Sequence, residues 1–454
     1  MSSVFIASSK KAIRLHLLSK ESLNDWMQAQ EKRFSTFAEA AGFKGQAGKF
    51  LLIPNSDGVV ADVLFGVGEG DDPMVLTGAS SSLPSGVYEI ATPVPFLSVE
   101  QIAAGWADGA YRFNRYKKDD AEPAILVISK QDEREAAQIE EASIKLVRDL
   151  INTPAEDMGP TQIAEKIEEL GKEFGAEVSQ IIGDDLLKEN YPMIHAVGRA
   201  AVQAPRYIEL SWGNKKAPHI ALVGKGVAFD TGGLNIKTGN YMRIMKKDMG
   251  GAAHAIGLAR MIMAANLNVR LTLHIPAVEN AIGRAAFRPG DVLNSRKGLT
   301  VEIDNTDAEG RLVLGDALTR ACELKPDILM DFATLTGAAR VAMGADVAPF
   351  FTNDEALATG IYQSGVDMGD PIWRLPLWKP YLSMLNSSVA DIVNGASSPF
   401  AGTITAALFL QKFVDAPSWT HFDVWGWRLS KYGRPEGGAA FALRAVFNHL
   451  KREF

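Results

Sequence analysis

VEIDNTDAEGRLVLGD, residues 301–316, concentrates more chemistry than any other stretch of this chain. The apolar, β-favouring residues 299–303 predict a strand, 305–311 a polar loop, and the spacing of apolar residues from Leu312 onward a helix. Asp307 and Glu309 stand two residues apart in that loop. Gly310 follows, which permits unusual backbone angles, and then Arg311, a permanent cation. Two carboxylates and a guanidinium at the end of a strand suit the reaction centre of an α/β enzyme. Turn chemistry alone would also place Asn, Asp and Gly here, with Glu309 and Arg311 as solvated charges, so the rest of the chain has to decide.

The 454 residues exceed the ~250–300 at which one core usually stops growing, so two domains are expected. Apolar residues make up 47% and charged residues 22%, an ordinary globular balance with ample core. The net charge of −7 gives the molecule no general attraction to nucleic acid or to an anionic membrane. Cys322 is the only cysteine, which excludes an internal disulfide and fits a reducing compartment; within a helix it reads as a small buried hydrophobe. The opening MSSVFIASSKKAIRLHLLSK lacks the unbroken apolar core of a signal peptide, and no apolar run approaches the ~20 residues of a membrane span. Cytoplasm is the simplest expectation.

Residues 1–130 read as a small N-terminal α/β domain. KFLLIP (49–54), VVADVLFGVG (59–68) and PAILVIS (123–129) are strand-like, 98–116 has helical spacing, and GASSSLPSG (78–86) is turn chemistry. No metal-ligand or nucleophile constellation occurs there, which suggests a regulatory or architectural role. A charged helix, 131–151, links this domain to the rest and should stop before Pro154. Residues 152–454 alternate helices and strands. Helices are expected at 161–174, 403–414 and 438–450, and strands at 206–212, 219–223, 269–278, 326–335 and 419–427, with turns at 288–291 and from Thr336 and Gly337. This pattern predicts a larger catalytic α/β domain whose mixed central sheet is covered by helices on both faces.

HIALVGKGVAFDTGGLNIK (219–237) carries Lys225, Asp230 and Lys237 on a glycine-rich segment that has neither the Walker spacing nor a dinucleotide fingerprint. KKDMGGAAHAIGLARMI (246–262) places Asp248 just before a helix, where it could be an N-cap, a metal ligand, or both. Asp230, Asp248, Asp307 and Glu309 would repel one another if clustered without compensation. Two divalent cations would neutralise them, and carboxylates suit zinc, manganese or magnesium. Lys225 and Lys237 are exposed charges on the plain view; beside a dication either could be a nitrogen ligand or polarise a substrate oxygen. The seven histidines form no HExxH motif, and His254 and His421 read as structural. No GxSxG elbow supports a serine hydrolase.

NTDAEGRL (305–312), VGKGVAFDTGG (223–233) with Lys237 downstream, MKKDMGGAA (245–253) and DFATLTGAA (331–339) together resemble the leucyl aminopeptidase family, the M17 cytosol aminopeptidases, which include bacterial peptidase B. The resemblance spans about 145–454 and takes in INTPAEDMGP (151–160) and RPGDVLNS (288–295); the N-terminal third shares only size and α/β character. It implies release of N-terminal residues from peptides by a homohexamer using two divalent metal ions, zinc or manganese. By motif position one ion would be held by Lys225, Asp230, Asp248 and Glu309, the other by Asp230, Asp307 with its carbonyl, and Glu309. Lys237 and Arg311 match the catalytic positions, with Lys237 stabilising the oxyanion and Arg311 holding a bicarbonate base. A water acidified between the metals would be the nucleophile. Met245, Thr334 and Gly337 match positions lining the first side-chain pocket, which would favour leucine-like residues. Lys247 departs from the aromatic or small residue of many relatives, which bears on fine specificity.

Two other classes remain open at this stage. A DNA-binding regulator has only the basic pairs Lys10–Lys11 and Lys117–Lys118 in its favour, against an acidic balance. A two-metal phosphoester hydrolase shares the carboxylates but does not account for the peptidase motifs.

Overall fold

Strands His219–Gly224 and Ile328–Ala333 are apolar at almost every position, the composition of strands covered on both faces. In the computed structural model, which describes residues 3–70, 72–119 and 122–454, they lie at the centre of a nine-stranded sheet. From one edge the order is Ile372–Arg374, Ala348–Thr352, Trp419–Asp423, Ile328–Ala333, His219–Gly224, Arg270–Asn280, Arg206–Gly213 and Glu177–Ile182, and Gly226–Asp230 pairs with the end of Arg270–Asn280. The four strands from Trp419–Asp423 to Arg270–Asn280 run parallel, while Ala348–Thr352, Arg206–Gly213 and Glu177–Ile182 add antiparallel pairings. The sheet is mixed, as the pattern predicts.

Alternation along the strands divides the core. Ala221, Val223, Leu329 and Ala333 join Leu312, Leu314 and Leu408 of helices Glu309–Glu323 and Gly402–Gln411 in one apolar cluster. On the other face Phe332 stacks with Phe422 and with His254 of helix Gly250–Ala264, at centroid distances of 4.7 and 6.1 Å. That helix is buried at all but two of its 15 positions, so it is a core helix.

The first turn of this helix abuts the end of strand His219–Gly224. The Ala252 N–H donates to the Lys225 carbonyl at 2.8 Å. A Cβ on Gly224 would lie 2.6 Å from Ala252 Cα and 2.7 Å from the Gly251 carbonyl oxygen, backbone atoms that cannot step aside like the tip of a side chain. Gly224→Ala is therefore expected to destabilise the fold by roughly 1–3 kcal/mol, read as a lowered midpoint of thermal unfolding. A midpoint within about one degree of the parent would show that the contact yields easily.

The strand that begins the 301–316 stretch lies outside the main sheet. Thr300–Glu302 pairs antiparallel with Val292–Asn294 and parallel with Ile392–Val393 in a small three-stranded sheet. The helix that follows starts at Glu309, three residues earlier than the apolar spacing suggests. Glu309 thus occupies a helix N-terminus, where free N–H groups and the helix dipole favour a carboxylate.

The first unit contains a six-stranded sheet in the order Phe5–Ile6, Ala124–Val127, Gly86–Thr92, Ile13–Ser19, Val60–Gly68 and Phe50–Pro54, parallel except for the last pair. It runs to Lys145 and also includes Leu429–Glu436; the second unit is Leu146–Arg428 with Gly437–Phe454. Helix Gln131–Asn152 joins the smaller unit to the larger and stops two residues before Pro154.

Several local expectations are corrected. Residues 78–86 read as a turn, yet Thr77–Ser82 is helical. It lies against helix Val99–Ala110, where a Cβ on Gly105 would meet Leu76 Cβ at 2.8 Å and one on Gly109 would collide with the Thr77 carbonyl; close packing of small residues outweighs turn propensity. Thr336 and Gly337 begin a helix, Gly337–Met343, and not a turn, with Thr336 Oγ1 accepting from the Ala339 N–H at 3.1 Å. The closing helix is Leu443–Glu453, because Gly437–Gly438 pairs with Trp427–Arg428 as strand.

Candidate active site

Lys225 and Thr334 directly follow the two central strands, and Asp230 and Asp423 end strands of the same sheet. All four therefore stand at carboxyl ends of parallel strands, where α/β proteins bind ligands. The Lys225 ammonium is buried and lies 2.6 Å from Asp248 Oδ2, 2.9 Å from Glu309 Oε1 and 3.0 Å from the Thr334 carbonyl. Gly310 makes room for it. A Cβ at that position would come within 2.5 Å of Lys225 Cε and 2.8 Å of Nζ. Gly310 is helical with no positive φ, so its value here is space and not the backbone freedom expected from the sequence.

Lys237 serves the other half of the cluster, with its Nζ 2.8 Å from Asp230 Oδ2 and 2.5 Å from Asp307 Oδ1. Asp230 Oδ1 accepts from the Gly232 N–H and from Asn280 Nδ2, each at 2.8 Å. Asn280 also donates to the Thr306 carbonyl, and Thr306 is tied to Asn235 and to the Gly232 carbonyl. These bonds lock the 231–237 loop against the 305–308 loop. Gly232, at φ +86°, makes the turn that a residue with a Cβ would resist.

Asp248 does not cap the helix it precedes. Met249 occupies the N-cap with no side-chain bond, and the Asp248 carboxylate instead takes Lys225 on one oxygen and Thr334 Oγ1, at 2.8 Å, on the other. The 3-10 helix Gly239–Met249 carries it there.

Asp230, Asp307 and Glu309 each offer an oxygen within 4.8 Å of the others. Burial, and then the Asp230 charge, push the Asp307 carboxyl up to about 6 and that of Glu309 up to about 8. Burial alone would lower the pKa of both lysines, but Asp248, Glu309 and Asp230 together hold both ammonium groups above the ordinary lysine value. Burial also opposes the Asp248 charge, yet Lys225 and Lys247 outweigh it and keep that carboxyl below its usual range. Glu309 Oε1 has no hydrogen-bond donor, although Lys225 is 2.9 Å away: the two attract without an aligned N–H. Crowded buried carboxylates, one with an orphaned oxygen, and an amine among them fit a centre for divalent cations.

Arg311 lies beside this cluster. Its Nη1 donates to the Asn394 carbonyl at 2.6 Å, while its Nε is buried without a partner. Burial lowers its pKa to about 10, still a cation at neutral pH. A cleft of about 610 Å³ is lined by Lys225, Asp230, Lys237, Asp248, Asp307 and Arg311, and equally by Met245, Thr334 and Gly337. All ten residues singled out in the sequence therefore meet in one place, Glu309 lying beneath the lining. Lys247 also reaches the cleft, buried, with Nζ 3.7 Å from Asp248 Oδ1.

Sequence reasoning missed Asn280, Thr306, Asn394 and Asp423. Asn394 is fully buried; it accepts from the Asp304 and Asn305 N–H groups and donates to the Asn305 carbonyl. Asp423 accepts from the Leu335 and Thr336 N–H groups and from Thr336 and Thr403 hydroxyls. A polar residue ending an apolar run, as in DIVNG and WTHFD, was the available signal. His254 and His421 are structural as expected: the first bonds the Gly250 carbonyl and the Phe441 N–H, the second Asp331 at 2.6 Å. Cys322 is partly buried against the core.

The profile of the cytosol aminopeptidase family, catalytic domain, matches residues 145–447, and that of the M17 aminopeptidase N-terminal domain matches 13–129. A probable cytosol aminopeptidase of Rhodococcus jostii is 38% identical over 442 residues, covering 91% of this chain and 87% of the relative. A crystal structure of the cytosol aminopeptidase from Coxiella burnetii superposes with a TM-score of 0.94 at 46% identity, over 99% of both chains. The bottromycin maturation enzyme BotP, solved in complex with Mn, gives 0.87 at 31% identity over 98% of this chain and 100% of that one. Profiles, relatives and structures agree: the chain belongs to the cytosol aminopeptidase family, the M17 peptide-hydrolysing enzymes.

Proposed function

We propose that this aminopeptidase works with two divalent cations, zinc or manganese, held by Lys225, Asp230, Asp248, Asp307 and Glu309. The observation that carries the reading is the carboxylate trio Asp230, Asp307 and Glu309, two of them buried and Asp307 half-buried, within 4.8 Å of one another at the base of the cleft. When bound, the cations would supply Lewis acidity and lower the pKa of a water molecule. Lys225 would have to give up its proton to act as a ligand, a role its position between Asp248 and Glu309 suits.

The chain's own groups do the rest. Lys237 stays charged between Asp230 and Asp307 and can donate to the oxyanion that forms as the peptide carbonyl is attacked. Arg311, with its unpartnered Nε, would hold bicarbonate, which would supply the base that no nearby histidine or spare carboxylate among the described residues provides. Met245, Thr334 and Gly337 would flank the first side chain, admitting leucine-like and other residues. Cytoplasmic peptide turnover and a homohexamer are the setting this reading implies. The relatives carry the name cytosol aminopeptidase, and no described helix is long and apolar enough to cross a membrane.

The test compares leucyl 4-nitroanilide with its N-acetyl derivative, using protein supplied with manganese or zinc. Hydrolysis of the first and at least about a hundredfold loss on the second is expected of an enzyme that binds the free α-amine. Equal rates on both would contradict N-terminal recognition.

A further inference from the structure

Strand Ile392–Val393 pairs with Thr300–Glu302, and Asn394, directly after it, extends the pairing through its N–H to the Glu302 carbonyl at 2.9 Å. The fully buried Asn394 side chain is thereby laid against residues 304–308. Its Oδ1 accepts from the Asp304 and Asn305 N–H groups at 2.9 and 3.2 Å. Its Nδ2 donates to the Asn305 and Ala308 carbonyls at 2.7 and 3.4 Å. A side-chain amide has two acceptor lone pairs and two N–H donors, so all four are in use. Ionised aspartate would lack the donors, and an aliphatic residue would lack both.

The segment held in this way carries Asp307 and leads straight into Glu309 at the start of helix Glu309–Glu323. The main-chain carbonyl of the same asparagine takes Arg311 Nη1 at 2.6 Å. Gly395 lets the chain pass: a Cβ there would lie 2.9 Å from Asp304 Cβ and collide with its carboxylate. Asn394 does not line the cleft. It grips with its side chain the backbone that carries two carboxylates, and with its backbone the guanidinium beside them.

We propose that Asn394 is a positioning residue that fixes the Arg311 guanidinium relative to the Asp307 and Glu309 carboxylates, so that turnover depends on it although it meets no substrate. The inference rests on the reading of the cation ligands and of Arg311 given above. A misplacement of about 1 Å in such a site can cost a hundredfold in rate. An asparagine that only stabilised the fold would lower the amount of active enzyme by the same factor whether or not Arg311 were present.

The experiment is a double-mutant cycle of Asn394→Ala and Arg311→Met. Manganese binding to the ion-free proteins is measured by calorimetry, and kcat on leucyl 4-nitroanilide at saturating manganese. Asn394→Ala should weaken manganese binding by about fivefold or more in both backgrounds, because the segment carrying Asp307 loses four hydrogen bonds. At saturating manganese it should lower kcat by about tenfold or more in the parent and by less than about twofold in the Arg311→Met background. Asn394→Ser, whose hydroxyl can still accept from one N–H and donate to one carbonyl, should show the same pattern with smaller losses, and carries the test if the alanine variant does not fold. Equal fractional losses of kcat in the two backgrounds, unchanged kcat in the parent background, or unchanged manganese binding would each overturn the proposal. Should Arg311→Met turn over as fast as the parent, or the parent bind no manganese, the reading of Arg311 or of the cation ligands would fail and this inference with it.

Discussion

Glu309→Gln is expected to lower kcat/KM for a leucyl anilide by roughly a thousandfold or more, while leaving the ion-free protein at least as stable as the parent. The two effects have one cause. Glu309 is fully buried at a helix N-terminus, with Lys225 on one side and other carboxylates on the other. Burial and then Asp230 raise its carboxyl from 4.5 to about 8. In the folded, ion-free protein it therefore keeps its proton between those values, whereas the unfolded chain releases it. Stability contributed by this group is complete below about 4.5 and declines as pH rises to about 8. Asp307, raised from 3.8 to about 6, acts in the same direction over the lower part of that window. Glutamine cannot ionise, so the decline between about 6 and 8 should flatten in the variant. Urea unfolding of chelated parent and variant across this range would show it; parallel curves would mean that Glu309 ionises freely without a cation. The activity loss follows because an amide offers a metal far less charge than a carboxylate.

Arg311→Ala should separate binding from turnover. Its guanidinium donates to the Asn394 carbonyl and pairs with no carboxylate among the described residues, so bound metal should be retained. Loss of the proposed anchor for an anionic base should reduce kcat by about a hundredfold. Metal content of the purified variant, read beside its kcat, checks this. Metal and kcat lost in equal proportion would show that Arg311 supports the cation centre itself. The cavity left beside Phe409, whose ring centre lies 5.8 Å from the guanidinium, is a separate cost that Arg311→Met would reduce.

Much of the site was legible because its chemistry is carried by charged residues next to glycines at strand ends. Lys225 follows an uninterrupted apolar strand, and Asp307 and Glu309 follow a polar turn; both patterns survive in a single sequence. What was hidden depends on contacts between distant segments. Gly310 looked like a source of backbone freedom, but its neighbour in space is Lys225, 85 positions away in sequence. Asp248 could be read as a cap as well as a ligand because nothing local shows that Thr334 and Lys225 would claim its oxygens. Asn394 carries no charge or motif, and only the small sheet that sets Ile392–Val393 beside Thr300–Glu302 brings it to the 304–308 loop. The fold followed similar limits. The long apolar strands were readable, while the helix Thr77–Ser82 exists because glycines elsewhere let it pack closely.

On the reading proposed above, divalent cations complete a centre built from Asp230, Asp248, Asp307, Glu309 and Lys225. Elemental analysis of the purified protein, paired with leucyl-anilide hydrolysis before chelation, after it and after return of manganese or zinc, tests that directly. About two ions per chain are expected, with activity lost when they are removed and recovered on their return. Undiminished hydrolysis by protein stripped to below about one tenth of an ion per chain would contradict it.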